Sequence, residues 1–490
     1  MTTQTALYET LANEIGQSIS MNIFRPGERL PSVRQLARQK RLSVGTVVQA
    51  FRLLEDQGYL DVRPQAGFYV RHRARVVPDQ GFPPALKTPA FVGITNRLMQ
   101  VLRANEMPGL VQFGSARPAD SMLPIKRLQR VVSGVNRRRP EYLTKTTCVN
   151  GNEPEFLHQV VRRSLDWGRV EVDEIVVTSS CTEAISLCLR AVAKPGDTIA
   201  IESATFFVLL QLIESLGMKA LEIPTHPSTG MSVDALELAL QQGLIQACLL
   251  VPTVHNPFGC TMPDASKKRV AALLAHYDVP LVEDDIYGDL AFTAERPSPI
   301  KAYDTSGNVL LCSSFSKAIT PAARIGFAAA GKFAQKVAFL KTVSGCGTSH
   351  FFQAVLAEMI SGNSYDNQLR KMRREMATRI ARTSDAIAAS FPAGCAISVP
   401  QGGFGLWIEL PDAVDAFRLH QDALESGISI MPGPLFSASG KFSNCIRINA
   451  ANDWTPAVQM AIKVLGGLIE KSAGCGELKV TAAGLSGSRQ

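Results

Sequence analysis

The chain has 490 residues, 46% of them hydrophobic and 19% charged, which is typical of an ordinary globular protein with two to four domains. Its apolar runs fall short of the roughly 18 residues of a membrane span, and its first residues lack the pattern of a secretory signal. The ten cysteines are scattered and the seven histidines form no ligand cluster. These features predict reduced thiols, a cytoplasmic location, and neither a metal site nor a membrane partner.

Positive charge is concentrated near the N-terminus. The net charge of the whole chain is +8, and residues 1–75 contain eleven Lys/Arg but only six Asp/Glu. A small basic unit joined to a large, nearly neutral one suggests that the small unit has a polyanionic partner.

Residues 1–72 are predicted to form three helices followed by a hairpin. Ser32 and Ser43 are suited to cap the second and third helices, and residues 59–63 and 68–70 form the predicted hairpin, with Gly58 ending the third helix. The apolar residues recur at helical spacing and are expected to face inward: Leu7, Leu11, Ile15, Ile19, Val33, Leu36, Ala37, Val47, Phe51 and Leu54.

This order of elements is that of a winged helix-turn-helix, whose third helix lies in the major groove of DNA. Polar residues near the helix starts and on the wing are the predicted DNA contacts: Arg34, Ser43, Thr46, Gln49, Arg63, Gln65 and Gly67. A helical module for protein contacts is the alternative interpretation.

The same segment resembles the winged helix of the GntR family over its whole length. The matching residues are Pro26-Gly27-Glu28-Arg29-Leu30-Pro31-Ser32, Arg34, Leu36-Ala37, Ser43-Val44-Gly45-Thr46-Val47, Leu53-Leu54 and Gly58-Tyr59-Leu60.

Beyond this module, residues 73–105 are rich in proline and charge and are predicted to be a linker. Residues 106–472 alternate apolar runs with helical patterns, which predicts an α/β domain with a mainly parallel sheet covered by helices. A smaller α+β lobe is expected at about 365–472, and the Gly/Ser-rich residues 473–490 are expected to be disordered. The predicted strands lie at 174–178, 198–201, 248–251, 280–283, 309–312, 325–329, 406–409 and 445–448.

The stretch Ser313-Ser314-Phe315-Ser316-Lys317 follows one of these strands, where α/β sheets place reactive groups. An amine that attacks a carbonyl needs a nearby positive charge to lower its pKa, and a phosphate needs hydroxyls and a guanidinium. Ser314, Ser316 and Arg324 surround Lys317 in the sequence, so the stretch suggests a Schiff-base lysine that holds a phosphorylated aldehyde. A surface loop is the alternative.

Other strand ends carry complementary groups. Ser180, Cys181 and Thr182 open a helix after residues 175–178, and a helix N-terminus binds phosphate. A capping box of Ser180 with Glu183 is compatible with that role.

Four further residues are suited to hold a planar ring. Phe206 can stack on it, Asn256 can donate to a ring oxygen, and Asp284, with Tyr287 three residues on, can pair with a pyridinium nitrogen. The alternatives are a core phenylalanine, an Asn-Pro turn and an acidic loop.

Arg447 lies between apolar residues in a late strand. An arginine in that setting meets a carboxylate, which is either that of a ligand or that of a structural ion pair.

Taken in order, these residues resemble the fold-type I pyridoxal-phosphate enzymes of the class I aminotransferase family over roughly 370 residues. The resemblance implies Lys317 as the internal aldimine, Asp284 on the pyridine nitrogen, Asn256 and Tyr287 on the ring oxygen, and Phe206 over the ring. It further implies Arg447 on an α-carboxylate and the remaining residues on the phosphate: Ser180, Cys181, Thr182, Ser314, Ser316 and Arg324.

A GntR-like winged helix fused to such a core resembles the MocR subfamily of bacterial transcription regulators. The resemblance implies a head-to-tail homodimer that binds double-stranded DNA, carries pyridoxal 5′-phosphate, and senses an amino acid, an amine or the free cofactor. The tyrosine that reaches the partner's phosphate in aminotransferases is absent from residues 146–158, and His158 stands where arginine is usual. A working aminotransferase with an accessory DNA-binding module is the alternative function.

Overall fold

The computed structural model describes residues 7–20, 23–24, 27–56, 58–63, 67–71, 75–76, 88–89, 93, 95–147, 151–165, 168 and 170–483. The chain divides into two compact units. The first unit contains residues 1–75 and 382–391, and the second contains residues 76–381 and 392–490.

The N-terminal part of the first unit has the predicted order of three helices and a hairpin. Its elements are α1 (Leu7–Ser20), α2 (Val33–Lys40), α3 (Val44–Asp56), β1 (Leu60–Arg63) and β2 (Gly67–Val70), the two strands pairing antiparallel. Leu11, Ile15 and Ile19 of α1 are buried as predicted, but Leu7 is 67% exposed. The inward prediction for Leu7 was wrong because Leu7 is the first residue of α1, at the end of the buried stripe.

Both predicted caps are present. Ser32 Oγ accepts from Gln35 N–H at 3.3 Å, and Ser43 Oγ accepts from Thr46 N–H at 3.0 Å. Val47, Phe51 and Leu54 of α3 are fully buried in a core shared with α1 and the hairpin. Because one face of α3 is buried in this core, its opposite face is directed toward solvent.

The second unit is built of many more helices and strands. Its helices are α4 (Thr95–Asn105), α5 (Ile125–Arg138), α6 (Pro154–Ser164), α7 (Cys181–Val192), α8 (Phe207–Ser215), α9 (Val233–Gln241), α10 (Asp264–Tyr277), α11 (Ala334–Gly345), α12 (His350–Ile360), α13 (Asn363–Ser390), α14 (Ala416–Glu425) and α15 (Pro456–Ala483), with the last part of α13 assigned to the first unit. The strands that follow β2 are β3 (Arg75–Val76), β4 (Val111–Gln112), β5 (Ile175–Thr178), β6 (Thr198–Ser203), β7 (Lys219–His226), β8 (Gly230–Met231), β9 (Ala247–Leu250), β10 (Leu281–Asp284), β11 (Val309–Ser314), β12 (Gly326–Ala329), β13 (Ala396–Ile397), β14 (Gly405–Glu409), β15 (Ile428–Ser429), β16 (Met431–Pro432) and β17 (Cys445–Asn449).

The large sheet has the strand order β5-β12-β11-β10-β9-β6-β7-β8. β12 is antiparallel to both of its neighbours and β8 is antiparallel to β7, whereas the remaining pairs are parallel. Strands β5, β9 and β10 are buried along their whole length because helices cover both faces of the sheet, as their continuous apolar runs predict.

The smaller lobe contains a second sheet in which β16, β17, β14 and β13 are neighbours and pair antiparallel. The predicted strands at 406–409 and 445–448 correspond to β14 and β17, each one residue longer than predicted. Long helices α13 and α15 also belong to this part of the chain.

Two of the predicted boundaries need correction. Residues 95–105, assigned to the linker, form α4, whose Leu98 and Val101 are buried in an apolar cluster with Trp407. The expected disordered tail begins too early, since α15 runs to Ala483. Residues 484–490 lie outside the described part of the chain.

Candidate functional site

The topology of the large sheet brings the predicted site residues to one edge. The carboxyl ends of β5, β6, β9, β10 and β11 point the same way because these strands run parallel. β12 runs in the opposite direction, so its start, where Arg324 lies, is at this same edge. The register confirms the placement, since Gly326 pairs with both Ser314 and Thr178.

Lys317 lies just beyond β11, and its ammonium group is directed inward. Its Nζ donates to the carbonyl oxygen of Ala116 at 2.5 Å and lies 5.9 Å from the ring centroids of Tyr287 and Phe404. Burial, followed by the positive charge of Arg447, lowers the pKa of Lys317 from 10.5 to about 8. A much larger fraction of this amine is therefore uncharged near neutral pH than of an ordinary lysine.

Asp284 ends β10 and is 6% exposed. Its Oδ1 accepts from the Ile286 N–H at 3.2 Å and from the Cys181 thiol at 3.4 Å. Burial raises the pKa of Asp284 from 3.8 to about 6, although these two donors and the charge of Lys317 oppose the shift. A buried carboxylate with this few partners is suited to meet a cationic ligand group.

A pocket at the same edge is lined by Asn256, Tyr287, Phe404 and Arg447, among others. Asn256 and Tyr287 are both buried, and Tyr287 packs edge to face on Phe404 with ring centroids 5.6 Å apart. Burial raises the pKa of Tyr287, so its hydroxyl stays protonated and can donate a hydrogen bond.

Arg447 projects from β17 of the smaller lobe into this pocket and is 3% exposed. One of its terminal nitrogens donates to the carbonyl oxygens of Gly114 and Ser115 at 2.8 and 3.0 Å, while its buried Nε has no hydrogen-bond partner among the residues that the structure describes. Burial lowers the pKa of Arg447 to about 10. No carboxylate within the described residues forms an ion pair with it, so the structural ion pair considered above is absent there.

The predicted phosphate end is formed by the start of α7. Ser180 is its N-cap and accepts from the Glu183 N–H at 3.0 Å, whereas the Glu183 carboxylate accepts from Ser179 rather than from Ser180. A Cβ placed on Gly326 would lie 2.6 Å from the backbone nitrogen of Cys181, so β12 packs directly against this turn. Thr182 is exposed.

Four other predicted residues lie near this end of the sheet. Ser314 is the last residue of β11 and accepts from the Ser316 N–H at 3.4 Å, and Arg324 is exposed. Phe206 precedes α8 and packs on Phe207, with ring centroids 4.6 Å apart.

The predicted DNA contacts lie in the first unit. Arg34 and Gln49 are exposed, and the hydroxyls of Ser43 and Thr46 are 2.8 Å apart. Gly67 begins β2 with a φ of 107°, which explains the glycine by backbone conformation alone.

The two remaining wing residues fall at or beyond the limit of the described structure. The backbone of Arg63 ends β1, but its side chain lies outside what the structure describes, as does Gln65 altogether.

Sequence reasoning missed the short segment from Gly114 to Ala116, whose carbonyl oxygens hold Arg447 and Lys317. It also missed Phe404, which lies beside Lys317. The one available signal for Phe404 was the pair of glycines, Gly402 and Gly403, that precedes it.

The chain matches the sequence profile of the aminotransferase class I and II family over residues 153–465 and that of the gntR family of bacterial regulatory proteins over residues 7–70. It is 38% identical over 465 residues to the HTH-type transcriptional regulator YdcR of Escherichia coli (strain K12), covering 95% of this chain and 99% of that protein.

The chain belongs to the aminotransferase class I and II family and carries a gntR-type domain at its N-terminus, which is the MocR architecture.

Two aminotransferases extend this comparison. The MocR-type chain is 28% identical over 362 residues to aromatic-amino-acid aminotransferase 1 of Thermococcus litoralis, covering 72% of this chain and 86% of the enzyme. The structure of LysN, the α-aminoadipate aminotransferase of Thermus thermophilus, superposes with a TM-score of 0.71 at 23% identity over 77% of this chain and 95% of LysN, which supports the fold.

The cofactor of this MocR-type fold is pyridoxal 5′-phosphate. The residues present fit it by their chemistry: a partly buried amine, a buried carboxylate, a protonated phenol and a capped helix start meet at one sheet edge. Among the described residues there is no cluster of side chains suited to a metal ion, and no helix is long and apolar enough to cross a membrane.

Proposed function

We propose that this chain is a transcription regulator that binds DNA through its winged helix, holds pyridoxal 5′-phosphate at Lys317, and responds to an amino acid. The observation that carries the proposal is Arg447, a buried cation beside Lys317 whose Nε has no partner in the described part of the chain. An uncompensated buried charge costs stability, and a ligand carboxylate would compensate it. If the effector were an amine or the free cofactor, it would bring no α-carboxylate to compensate the charge of Arg447.

When bound, the cofactor supplies an aldehyde that combines reversibly with amines. Lys317 provides the amine of the protein. Its lowered pKa of about 8 keeps part of it uncharged, and therefore nucleophilic, at neutral pH. The carbonyl oxygen of Ala116 holds the amine in place before the cofactor arrives.

The other residues orient the ring and the phosphate. In this proposal Asp284 would pair with the ring nitrogen, Asn256 and Tyr287 would donate to the ring oxygen, and Phe206 would stack on the ring. The phosphate lies at the start of α7, where the backbone amides and the helix dipole favour an anion. The side chains assigned to the phosphate are Ser180, Cys181, Thr182, Ser314, Ser316 and Arg324.

Arg447 gives the effector a way to act on the protein. It lies on β17 of the smaller lobe, whereas Lys317 follows β11 of the large sheet. An amino acid bound at the cofactor site would lie near Lys317 with its amino group and would contact Arg447 with its carboxylate, so it would connect the two lobes. Such a ligand shifts a conformational equilibrium because its contacts differ between the two lobe arrangements.

The proposal includes a head-to-tail homodimer in the cytoplasm, so that two winged helices bind two half-sites of one DNA duplex. In dimeric DNA-binding proteins the half-site spacing mirrors the symmetry of the protein.

A working aminotransferase is the second candidate, favoured by the similarity to the Thermococcus litoralis enzyme. Two sequence differences weigh against efficient turnover: the missing tyrosine within residues 146–158, and His158 in place of arginine. Steady turnover of an amino donor with a 2-oxo acid at ordinary enzyme rates, of the order of 1–1,000 s⁻¹, would favour this candidate.

The decisive experiment measures fluorescence anisotropy of labelled DNA from the region upstream of the gene, titrated with cofactor-loaded protein at several salt concentrations. A panel of amino acids and amines is added at fixed protein. Salt-sensitive binding that an amino acid alters is the expected result. The absence of any salt-sensitive binding contradicts the proposal.

A further inference from the structure

The first turn of α3 carries an apolar surface that none of the described residues of its own unit covers. Val44 begins the helix and is 51% exposed, and Gly45, which follows it, is exposed as well. We infer that this turn recognises the C5-methyl groups of thymines in the major groove. Val44 contacts these methyl groups, and the missing side chain of Gly45 provides the clearance that lets the DNA surface approach the helix. The inference rests on the proposed DNA-binding function and adds a sequence preference to it.

The described residues around Gly45 give no reason for a glycine at this position. Its backbone is helical, and a Cβ built on it would have as its nearest neighbour Ser43 Oγ, at an ordinary contact distance of 3.7 Å. Glycine in a helix is less favourable than alanine by up to about 1 kcal/mol. Since no neighbour or backbone angle requires glycine here, the missing side chain serves an external surface that approaches the helix closely.

Gly67 is the instructive contrast within the same unit. Its φ of 107° lies in the region that favours glycine, and a Cβ there would come within 3.2 Å of the Nε of Arg29. Gly67 is therefore accounted for by the fold, and Gly45 is not.

The polar groups of the turn are partly engaged already. Ser43 Oγ accepts from the Thr46 N–H and is within 2.8 Å of the Thr46 hydroxyl. The surface between them consists of the Val44 methyls and the bare backbone of Gly45. Among the base edges of the major groove, the thymine methyl is the one apolar feature, so an apolar side chain there favours thymine.

Charge identifies the partner as DNA rather than as an apolar face of a protein. Arg34, Arg38 and Arg41 are exposed on α2 and at its end, the helix that precedes α3. In a helix-turn-helix the first helix crosses the phosphate backbone while the second enters the groove. The arginines of α2 are therefore placed for phosphate contacts, and the apolar first turn of α3 is placed for base contacts.

The test starts from duplexes selected by the full-length, cofactor-loaded protein out of a random pool. Each thymine of the selected site is replaced in turn by deoxyuridine, which removes only the methyl group. Burying one methyl group corresponds to about a fourfold change in affinity. We expect one or two thymines in each half-site at which the uracil substitution weakens binding by this factor.

Val44→Ala supplies the second arm of a double-mutant cycle. The variant is expected to bind thymine DNA about fourfold more weakly and to show no further loss on uracil DNA, because the two changes remove the same contact. Val399→Ala is the matched control: Val399 is 63% exposed in the other unit, and its truncation should leave both affinities unchanged.

Gly45→Ala tests the clearance. The added methyl should weaken DNA binding by about tenfold or more while keeping or raising the melting temperature. Gly467→Ala is its control, since Gly467 is exposed in α15 and has nothing within 4 Å of its Cβ position. It should affect stability in the same way without changing DNA affinity.

The outcomes separate the two proposals. If the wild-type protein binds DNA but no uracil substitution weakens binding, or if Val44→Ala weakens binding equally on thymine and uracil DNA, thymine readout is wrong and DNA binding stands. An unchanged affinity of Gly45→Ala refutes the clearance, and indicates that this turn meets a protein or solvent instead. If the wild-type protein selects no duplex at all, it is the proposed function that fails.

Discussion

The winged-helix unit and the core site handle their charged groups in opposite ways. The arginines and polar residues that face DNA in our proposal, such as Arg34 and Gln49, are exposed to solvent. In the core, Asp284 and Arg447 are almost completely buried, and the amine of Lys317 is directed inward between aromatic rings. The two sites therefore differ in how strongly solvent and salt modulate them.

The difference has a physical origin. Exposed charges attract a polyanion over a long range and release counterions when it binds, at little cost to the fold. Burial of charged groups destabilises the ligand-free protein and shifts their pKa values in the direction that favours the neutral form. The pKa of Lys317 is lowered and that of Asp284 is raised. The first arrangement suits association with DNA, and the second suits selective chemistry on a small ligand.

Salt gives the largest expected contrast between the two regions. Raising salt from about 50 mM to about 200 mM should weaken DNA binding by at least about 100-fold. The affinity for an amino-acid effector should change by less than about threefold, because buried charges are screened far less. Anisotropy measures the first affinity and titration calorimetry the second. If DNA affinity and effector affinity depended equally on salt, the contrast between exposed and buried charges would be wrong.

Replacing Arg447 tests whether its buried charge awaits a ligand. Arg447→Met should lower the affinity for an amino-acid effector by about 100-fold, since a charge-assisted hydrogen-bonded contact of about 3 kcal/mol is lost. DNA binding should be unaffected. Arg418→Met, on an exposed arginine of the same lobe, is the control and should leave effector affinity intact.

The same variant also distinguishes a ligand-binding arginine from a structural one. Breaking a buried ion pair costs about 3–5 kcal/mol of stability. Within the described structure, Arg447 donates only to two carbonyl oxygens, those of Gly114 and Ser115. Because no ion pair is broken, Arg447→Met should change the free energy of unfolding by about 1 kcal/mol or less. A loss in the ion-pair range, measured by urea unfolding, would contradict our account of this residue.

Asp284 should make the stability of the cofactor-free protein depend on pH. Its pKa is raised by folding from 3.8 to about 6, so the folded state binds the proton more tightly than the unfolded state does. The resulting stabilisation is present below pH 3.8 and is lost as the pH rises through about 6, an effect of up to about 3 kcal/mol.

Asp284→Asn isolates this contribution. The difference in unfolding free energy between wild type and variant, followed by urea denaturation, should fall with rising pH across that window and be constant above it. A difference that is independent of pH would show that the carboxyl group titrates normally.

The smallest expected effects concern the helix caps. Ser43→Ala removes the cap of α3 and Ser232→Ala removes that of α9, and each should lower stability by about 1 kcal/mol. Only Ser43→Ala should also weaken DNA binding, because Ser232 lies in the other unit. Thermal melts and anisotropy on the same samples provide the comparison. A matching loss of DNA affinity in Ser232→Ala would show that the effect of Ser43→Ala reflects general destabilisation and not a local change at the DNA-binding helix.

The sequence predicts the winged helix and the strand-end residues because both depend on short-range signals. Capping serines, helical spacing and apolar runs lie within a few residues of what they specify, as at Ser43 and at Lys317 after β11. Strand β7 escaped prediction because Glu222 and Pro224 interrupt its apolar pattern. Glu222 is tolerated in a buried strand since Ser437, Ser439 and Lys441 bind its carboxylate, and these lie about two hundred residues away.

The site residues that sequence reasoning missed also depend on contacts between residues far apart in the chain. Ala116 and Phe404 reach Lys317 only through the packing of the smaller lobe, and backbone carbonyl groups leave no mark in a sequence. The partnerless Nε of Arg447 is likewise a property of the assembled pocket. Sequence reasoning could name Arg447, but it left a ligand and an ion pair as open alternatives.

The most direct test of the account is to identify the lysine that captures the cofactor and the pH at which it does so. Cofactor-free protein is mixed with pyridoxal 5′-phosphate across a pH series, reduced with borohydride, and mapped by peptide mass spectrometry. The account predicts one modified lysine, Lys317, with a labelling rate that rises through a midpoint of about 8 rather than 10.5. Label spread over surface lysines, or none at residue 317, would contradict it.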